Sequence, residues 1–116
     1  MEIHDFLVMV EGCRDAFELA DFLVNEFGGT SITAAHAVDL KGNLVMIREN
    51  EDFCLGLIDD PVEGHAYYEF EVTVTPRGFR SKDVQEALAH EILKKIRLRG
   101  WRGAVYADFG DIIPSV

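Results

Sequence analysis

Basic residues are scarce in this chain of 116 residues. Eleven Lys and Arg side chains stand against 21 Asp and Glu, which gives a formal net charge of −10 at pH 7. Binding to nucleic acid or to an anionic membrane needs a surplus of positive charge that neutralises phosphate groups. The composition therefore predicts a protein that binds neither nucleic acid nor a membrane surface directly.

Cysteines and long apolar runs are also few. The two cysteines, Cys13 and Cys54, form no closely spaced pair, so they are typical neither of a metal site nor of a disulfide-rich secreted domain. No segment approaches the roughly 18 to 20 apolar residues that span a bilayer. We therefore expect two free, buried thiols and a cytoplasmic protein.

The length suits a single domain over residues 1–116 with one hydrophobic core. Apolar residues at helical spacing predict a first helix over about 13–27, ended by Gly28, and a second helix from the N-cap Ser81 to Gly100. Alternating or continuous apolar segments predict strands near 3–10, 31–40, 44–49, 53–58, 66–75 and 101–109.

These elements follow the order β-α-β-β-β-β-α-β. Four strands in succession between two helices favour an antiparallel meander rather than alternating βαβ units. The sequence therefore predicts an α+β fold with a mainly antiparallel sheet of about six strands and both helices on one face.

Motifs for catalysis and for cofactor binding are not found. The four histidines do not combine with the cysteines at a metal-ligand spacing, and neither a nucleophile-elbow motif nor a glycine-rich phosphate loop occurs. We therefore predict no metal and no cofactor, and a binding protein is favoured over an enzyme.

Charge is distributed unevenly along the chain. Residues 1–71 hold 16 acidic and 3 basic side chains, a net −13, whereas residues 72–116 hold 8 basic and 5 acidic ones, a net +3. If the four predicted strands alternate in direction, the acidic turn at 49–52 lies at the same end of the sheet as Arg77 and Arg80. The acidic loop at 59–63 then lies where the second helix ends. The division indicates either internal pairing or a surface kept negative for a partner.

The first helix has a face on which an aromatic side chain is surrounded by carboxylates. On a helical wheel Phe22 points away from the centre of the apolar stripe, with Asp15, Glu18 and Glu26 beside it and Leu19 at the boundary. Such a face is typical of protein-binding sites, where the ring supplies contact area and the acids attract a basic partner. The alternative is a solvated helix with an exposed Phe22, or a Phe22 covered by a neighbouring loop.

We therefore expect a small acidic protein-binding module that masks a basic partner, as inhibitors and immunity-type proteins do against nuclease toxins. The predicted contact residues lie on the first helix and on the acidic loop: Asp15, Glu18, Leu19, Phe22, Glu26, Asp59, Asp60 and Glu63.

Two other functions stay open. A small-molecule site or a small enzyme would place its pocket between the sheet and a helix, around His36 with Tyr67 or Tyr106 and Cys54. A homodimer would place the acidic first helix of one copy against the basic second helix of another.

Overall fold

A computed structural model of the chain describes residues 4–33 and 36–107. It contains two α-helices and six strands, together with a short 3-10 helix at Gly64–Tyr67. The elements are β1 Phe6–Glu11, α1 Ala16–Phe27, β2 Thr30–Thr33, β3 Ala37–Leu40, β4 Asn43–Glu49, β5 Phe70–Pro76, α2 Lys82–Leu98 and β6 Arg102–Ala107. The predicted α+β class and the predicted order of elements are confirmed.

The six strands form one sheet in the order β2-β3-β4-β5-β1-β6, and every neighbouring pair is antiparallel. The first strand of the chain lies between β5 and β6, which explains its nearly continuous apolar sequence. Val8 and Met9 point to opposite faces, and both are at most 3% exposed.

Both helices pack on one face of this sheet, as predicted. Val8, Val72 and Ile47 lie side by side on that face through the strand register. They belong to the same buried cluster as Leu23 of α1 and Ile92 of α2. We call this the helix face and the other side the open face.

The helix ends follow the sequence signals. The Asp15 side chain accepts a hydrogen bond from the Glu18 amide at 2.9 Å, and Ser81 accepts one from the Val84 amide at 3.2 Å. Gly28 adopts the left-handed conformation, with φ 68°, that ends α1. The helix begins at Ala16, three residues later than predicted, because Asp15 caps it.

Two of the predicted strands differ in the structure. The segment predicted as one strand over 31–40 is a hairpin of β2 and β3, with an irregular register and His36 in the turn. The segment 53–58 consists of turns rather than a strand. Here the backbone folds back on itself, since the Cys54 amide donates to the Tyr67 carbonyl at 3.2 Å.

The absence of a strand at 53–58 places Arg77 at the opposite end of the sheet from the one predicted. Because no strand intervenes, β4 and β5 are direct neighbours, and the end of β5 lies beside the β3–β4 turn. Arg77 donates its amide to the Gly42 carbonyl and pairs through its guanidinium with Asp39, at 3.8 Å. The prediction that Arg77 lies near the acidic turn at 49–52 was therefore wrong.

The last strand ends at Ala107 in the described part of the chain, and the predicted continuation to 109 lies outside it. Within the described residues, no helix is long and apolar enough to cross a membrane.

Candidate protein interface

The structure corrects the predicted binding face on α1. Phe22 is 1% exposed and Leu19 is fully buried, so neither side chain can contact a partner. The exposed aromatic residue of α1 is Phe17, at 61%. The prediction of a solvent-facing Phe22 among carboxylates was therefore wrong.

Phe22 is buried because α1 has a second neighbour besides the sheet. Trp101, which follows α2, packs against Phe22 with ring centroids 5.2 Å apart, and Phe27 lies edge-on at 6.0 Å. The Arg99 guanidinium lies over both the Phe22 and Trp101 rings, at 5.5 and 4.7 Å. A helical wheel centred on the sheet side does not account for this lateral contact.

Two of the predicted acids on α1 stabilise the start of the helix. Asp15 caps α1, and Glu18 accepts a hydrogen bond from the Arg14 amide at 2.7 Å. The backbone N–H of Glu18 lowers the pKa of Asp15 below its usual value, because it binds the charged form of the carboxyl. Glu26 is exposed at the far end of the helix.

The other predicted acids lie on a long connection between β4 and β5. We call residues 50–69 the covering loop, because it lies over part of the open face. Its 3-10 helix contacts β1, and its Asp59 forms an ion pair of 2.7 Å with Arg102 of β6. His65 contacts the Tyr106 hydroxyl of β6 through its ring Nδ1.

The covering loop accounts for the burial of apolar residues on the face without helices. Met9 and Ala104 pair across β1 and β6 on the open face, and they are 3% and 1% exposed. Tyr68, at the end of the loop, is also buried, and the Arg102 guanidinium lies 5.8 Å from its ring centroid. The loop is thus held against the sheet by apolar burial as well as by polar contacts.

Hydrogen bonds define the path of the covering loop. The buried Asn50 side chain donates to the carbonyls of Ala66 and Tyr68, at 2.9 and 2.8 Å, so it ties the two ends of the loop together. A Cβ atom at Gly64 would lie 2.2 Å from the Ile58 carbonyl oxygen, so only glycine allows this close approach.

A second set of hydrogen bonds shapes the outer turn of the covering loop. The Asp60 carboxylate accepts hydrogen bonds from the Val62 and Glu63 amides, both at 2.9 Å. The same two N–H groups lower the pKa of Asp60, with Glu63 the larger cause. Asp60 is therefore a fixed negative charge at the tip of the loop.

The outer surface of the covering loop combines exposed apolar side chains with carboxylates. Phe53, Leu55, Leu57 and Val62 are 39%, 69%, 43% and 75% exposed. Exposed carboxylates lie among them in sequence: Glu51, Asp52, Asp59, Asp60 and Glu63. We call these nine residues the acidic apolar surface.

Positive charge near this surface is limited. No Lys or Arg occurs between Arg48 and Arg77 in the sequence. Arg48 pairs with Glu71 at 2.6 Å, and Arg102 pairs with Asp59. Arg102 begins β6 just after α2 ends, so its pair with Asp59 places the acidic loop at the end of the sheet where α2 finishes, as predicted. The acidic apolar surface carries a surplus of negative charge.

Carboxylates also crowd the base of the covering loop. The Glu69 amide donates to a Glu11 carboxylate oxygen at 3.0 Å. Partial burial raises the pKa of Glu69, and the charges of Glu11 and Glu49 add to the rise. Burial, with a further contribution from Glu69, raises the pKa of the nearby Cys13 thiol to about 12.

The residues proposed for a small-molecule site do not come together around His36. His36 precedes β3, whereas Tyr106 lies on β6, with β4, β5 and β1 between them. Cys54 and Tyr67 are neighbours within the covering loop. Among the described residues, no group of three or more His, Cys, Asp and Glu side chains is placed to hold a metal ion.

Sequence reasoning located part of the acidic apolar surface and missed its apolar members. Asp59, Asp60 and Glu63 were identified from their charge, whereas Phe53, Leu55 and Leu57 were assigned to an internal strand because they alternate with a period of two. The long stretch without Lys or Arg was the available signal.

The chain matches no family model, no curated protein and no solved structure.

Proposed function

We propose that this chain is a protein-binding module and that its acidic apolar surface binds a basic protein partner. The observation that carries this proposal is the placement of four exposed apolar side chains among five exposed carboxylates on one loop. An apolar centre supplies most of the affinity of a protein interface, and surrounding charges select the partner.

The charge of the surface specifies the class of partner. An acidic partner would be repelled by the carboxylates, and a nucleic acid would be repelled for the same reason. A partner with Lys and Arg around an apolar patch complements both features. Inhibitors and immunity-type proteins that mask basic toxins, including nucleases, use this complementarity, and we propose such a role here.

The anchoring of the covering loop supports binding with a small entropic cost. Asn50, Asp60 and the Asp59–Arg102 pair hold the loop in one conformation. A surface ordered before binding loses less conformational freedom on association than a flexible one.

The free Cys13 and Cys54 thiols suit a reducing compartment, so we propose that the complex forms in the cytoplasm.

The test begins with capture of partners by the tagged chain in its native host, followed by mass spectrometry. Each recovered protein with a basic isoelectric point is then produced separately and titrated against the purified chain by calorimetry. The double variant Glu51→Gln with Glu63→Gln removes two charges from the acidic apolar surface. We expect its Kd to rise at least about fivefold, and the wild-type Kd to rise with salt.

A matched control removes two exposed acids from α1, Asp21→Asn with Glu26→Gln. Because both double variants change the net charge equally, any difference between them reports position rather than total charge. We expect the control to bind within about twofold of wild type. Equal weakening by both variants, or a purified partner that is acidic, would contradict the proposal.

A further inference from the structure

Arg80, just before α2, is the arginine whose guanidinium has no partner among the described residues. Its side chain is half-buried, and it forms neither a hydrogen bond nor an ion pair there. The other six arginines each have an interaction: Arg14, Arg48, Arg77 and Arg102 form ion pairs, Arg99 lies over two rings, and Arg97 is also engaged. In a chain with 21 acidic side chains, Arg80 is thus left for an anionic group from outside the chain.

A groove between α2 and the β3–β4 turn holds the Arg80 side chain. A Cβ atom at Gly42 of this turn would collide with the Arg80 guanidinium, which therefore lies directly against the turn. The groove has a volume of about 320 Å³. Its lining includes the charged Lys41, Arg80 and Glu91, the polar Gln85, and the apolar Val84 and Leu88. Such a volume suits a small ligand with both polar and apolar groups.

Lys41 occupies a turn position that favours other residue types. Its φ is 50°, and of the residues that the structure describes it alone combines a positive φ with a side chain. Gly42 follows at 78°, and two successive positive φ values form the tight hairpin turn in which asparagine is preferred at the first position. The Lys41 backbone is therefore strained, and strain of this kind is typical of residues that serve a site.

The ammonium group of Lys41 can still bind a ligand. It lies 3.9 Å from a Glu91 carboxylate oxygen and 5.9 Å from the centroid of the Phe27 ring. The distance to Glu91 is longer than a hydrogen bond, and both side chains are about half exposed. Such a pair stabilises the fold little, so a closer anion can bind the same N–H groups.

The groove also contains a buried acceptor that lacks a donor. Gln85 is fully buried, and its Nε2 donates to the His4 carbonyl and to Asn43 Oδ1, both at 2.9 Å. Because both partners are acceptors, the amide cannot be turned round. No described group donates to its Oε1. A buried acceptor in this state is costly, so a small donor that reaches it from the groove is bound favourably.

We infer that this groove binds a small carboxylate that carries a hydroxyl group. The carboxylate pairs with Arg80 and Lys41, and the hydroxyl donates to Gln85 Oε1. The apolar carbons of the ligand lie against Val84, which is 50% exposed. Two cations and the Glu91 carboxylate give the lining a net charge of +1, which suits one carboxylate rather than a doubly charged phosphate.

This site is independent of the proposed binding function. The strand β4 leads from the β3–β4 turn to the covering loop, and its seven residues span about 20 Å. The groove and the covering loop therefore lie at opposite ends of the sheet. Failure of one proposal leaves the other unaffected.

Amide NMR of the purified full chain tests the inference, with mandelate and phenylacetate as probes at constant ionic strength. The two probes share a carboxylate and a ring, and they differ in one hydroxyl group. We expect mandelate to shift the Gly42 and Val84 amide signals saturably. It should bind at least about fivefold more tightly than phenylacetate, because phenylacetate cannot donate to Gln85.

Two variants test the charged contacts. Arg80→Gln should weaken mandelate binding at least about tenfold, and Lys41→Asn at least about threefold. Arg80→Gln breaks no hydrogen bond or ion pair among the described residues, so it should stay folded. Asparagine suits the turn, so urea titration should show that Lys41→Asn is at least as stable as wild type.

Lys82→Gln is the matched control, because it removes a neighbouring positive charge that lies outside the groove. It should bind mandelate within about twofold of wild type. A wild type without saturable shifts at Gly42 and Val84 would overturn the inference. Equal Kd values for the two probes, or equal weakening by Arg80→Gln and Lys82→Gln, would also overturn it.

Discussion

Phe17 and Phe22 differ in burial although both lie on α1. Phe17 is 61% exposed, whereas Phe22 contacts Trp101 and Phe27 and lies beneath Arg99. The phenyl ring of Phe22 therefore contributes to stability, whereas the phenyl ring of Phe17 contributes little. The contact with Trp101 connects the end of α2 to α1, so it also fixes how the two helices lie on the sheet.

Phe22→Ala should lower the free energy of unfolding by about 3 to 5 kcal/mol, because it removes a buried ring and leaves a cavity between α1 and Trp101. Phe17→Ala should change it by less than about 0.5 kcal/mol, since the ring is exposed. Urea titration followed by circular dichroism measures both values. Equal losses for the two variants would contradict the assignment of Phe22 to the core.

The two thiols should differ in reactivity. Burial keeps the Cys13 thiol protonated at neutral pH, with a pKa near 12, whereas Cys54 lies partly exposed on the covering loop. Because the thiolate is the reactive form, iodoacetamide should modify Cys54 at least about a hundredfold faster than Cys13 in the folded protein. Mass spectrometry after timed quenching measures the two rates. In denaturant they should converge, and equal rates in the native state would contradict the burial of Cys13.

Residues near the helix ends predicted the helix caps, but the sequence did not predict contacts between residues that are far apart in the chain. Asp15, Ser81 and Gly28 were identified correctly, because a helix end depends on the residues within one turn of it. The burial of Phe22 depends on Trp101, which is far away in sequence. A helical wheel has no information about such a neighbour.

The covering loop is the element that sequence periodicity described least well. Phe53, Leu55 and Leu57 alternate with other residues as they would in a strand, yet the segment folds into turns. The Phe53 amide donates to the Asn50 carbonyl and the Cys54 amide donates to the Tyr67 carbonyl, and neither bond is made to a neighbouring strand. The strand β4 was predicted nearly within its bounds, whereas β5 begins at Phe70, four residues later than predicted, because the chain forms a 3-10 helix at Gly64–Tyr67.

Asn50→Ala should loosen the covering loop. The change leaves the Ala66 and Tyr68 carbonyls without their side-chain donor, at a cost of about 1 to 3 kcal/mol. Amide hydrogen exchange should therefore accelerate in the loop while exchange in β1 stays slow. Asn25→Ala, at an exposed position on α1, is the control and should leave the loop unchanged. Unchanged exchange in the Asn50 variant would show that apolar contacts alone hold the loop.

The sequence predicted the net charge of the molecule, but it did not predict where the unpaired acidic side chains lie in the fold. The net −13 of residues 1–71 follows from counting, but the pairing of those acids depends on strand order. Asp39 and Glu71 are paired with Arg77 and Arg48. The acids of the covering loop are matched by a single close cation among the described residues, Arg102, so the surplus is concentrated there.

The crowded carboxylates at the base of the loop should make stability depend on pH. Because the pKa of Glu69 is raised above 4.5 in the folded state, protonated Glu69 favours folding. That contribution is fully present below the unfolded-state pKa, and it is lost as the pH rises through the raised folded-state pKa. Glu69→Gln should therefore stabilise the protein at pH 7, by about 0.2 to 1 kcal/mol, and should lose this advantage below pH 4. Urea titrations at both pH values measure the difference, and an equal effect at the two would contradict the raised pKa.

The proposed function depends on the binding of a basic protein by the acidic apolar surface. The most direct measurement is the Kd of the purified partner for Leu55→Ala with Val62→Ala, compared with Phe17→Ala as the control for an exposed apolar residue elsewhere. We predict that the loop variant binds at least about thirtyfold more weakly, and that the control binds within about twofold of wild type. Unchanged affinity for the loop variant, with both proteins folded, would exclude the acidic apolar surface as the binding site.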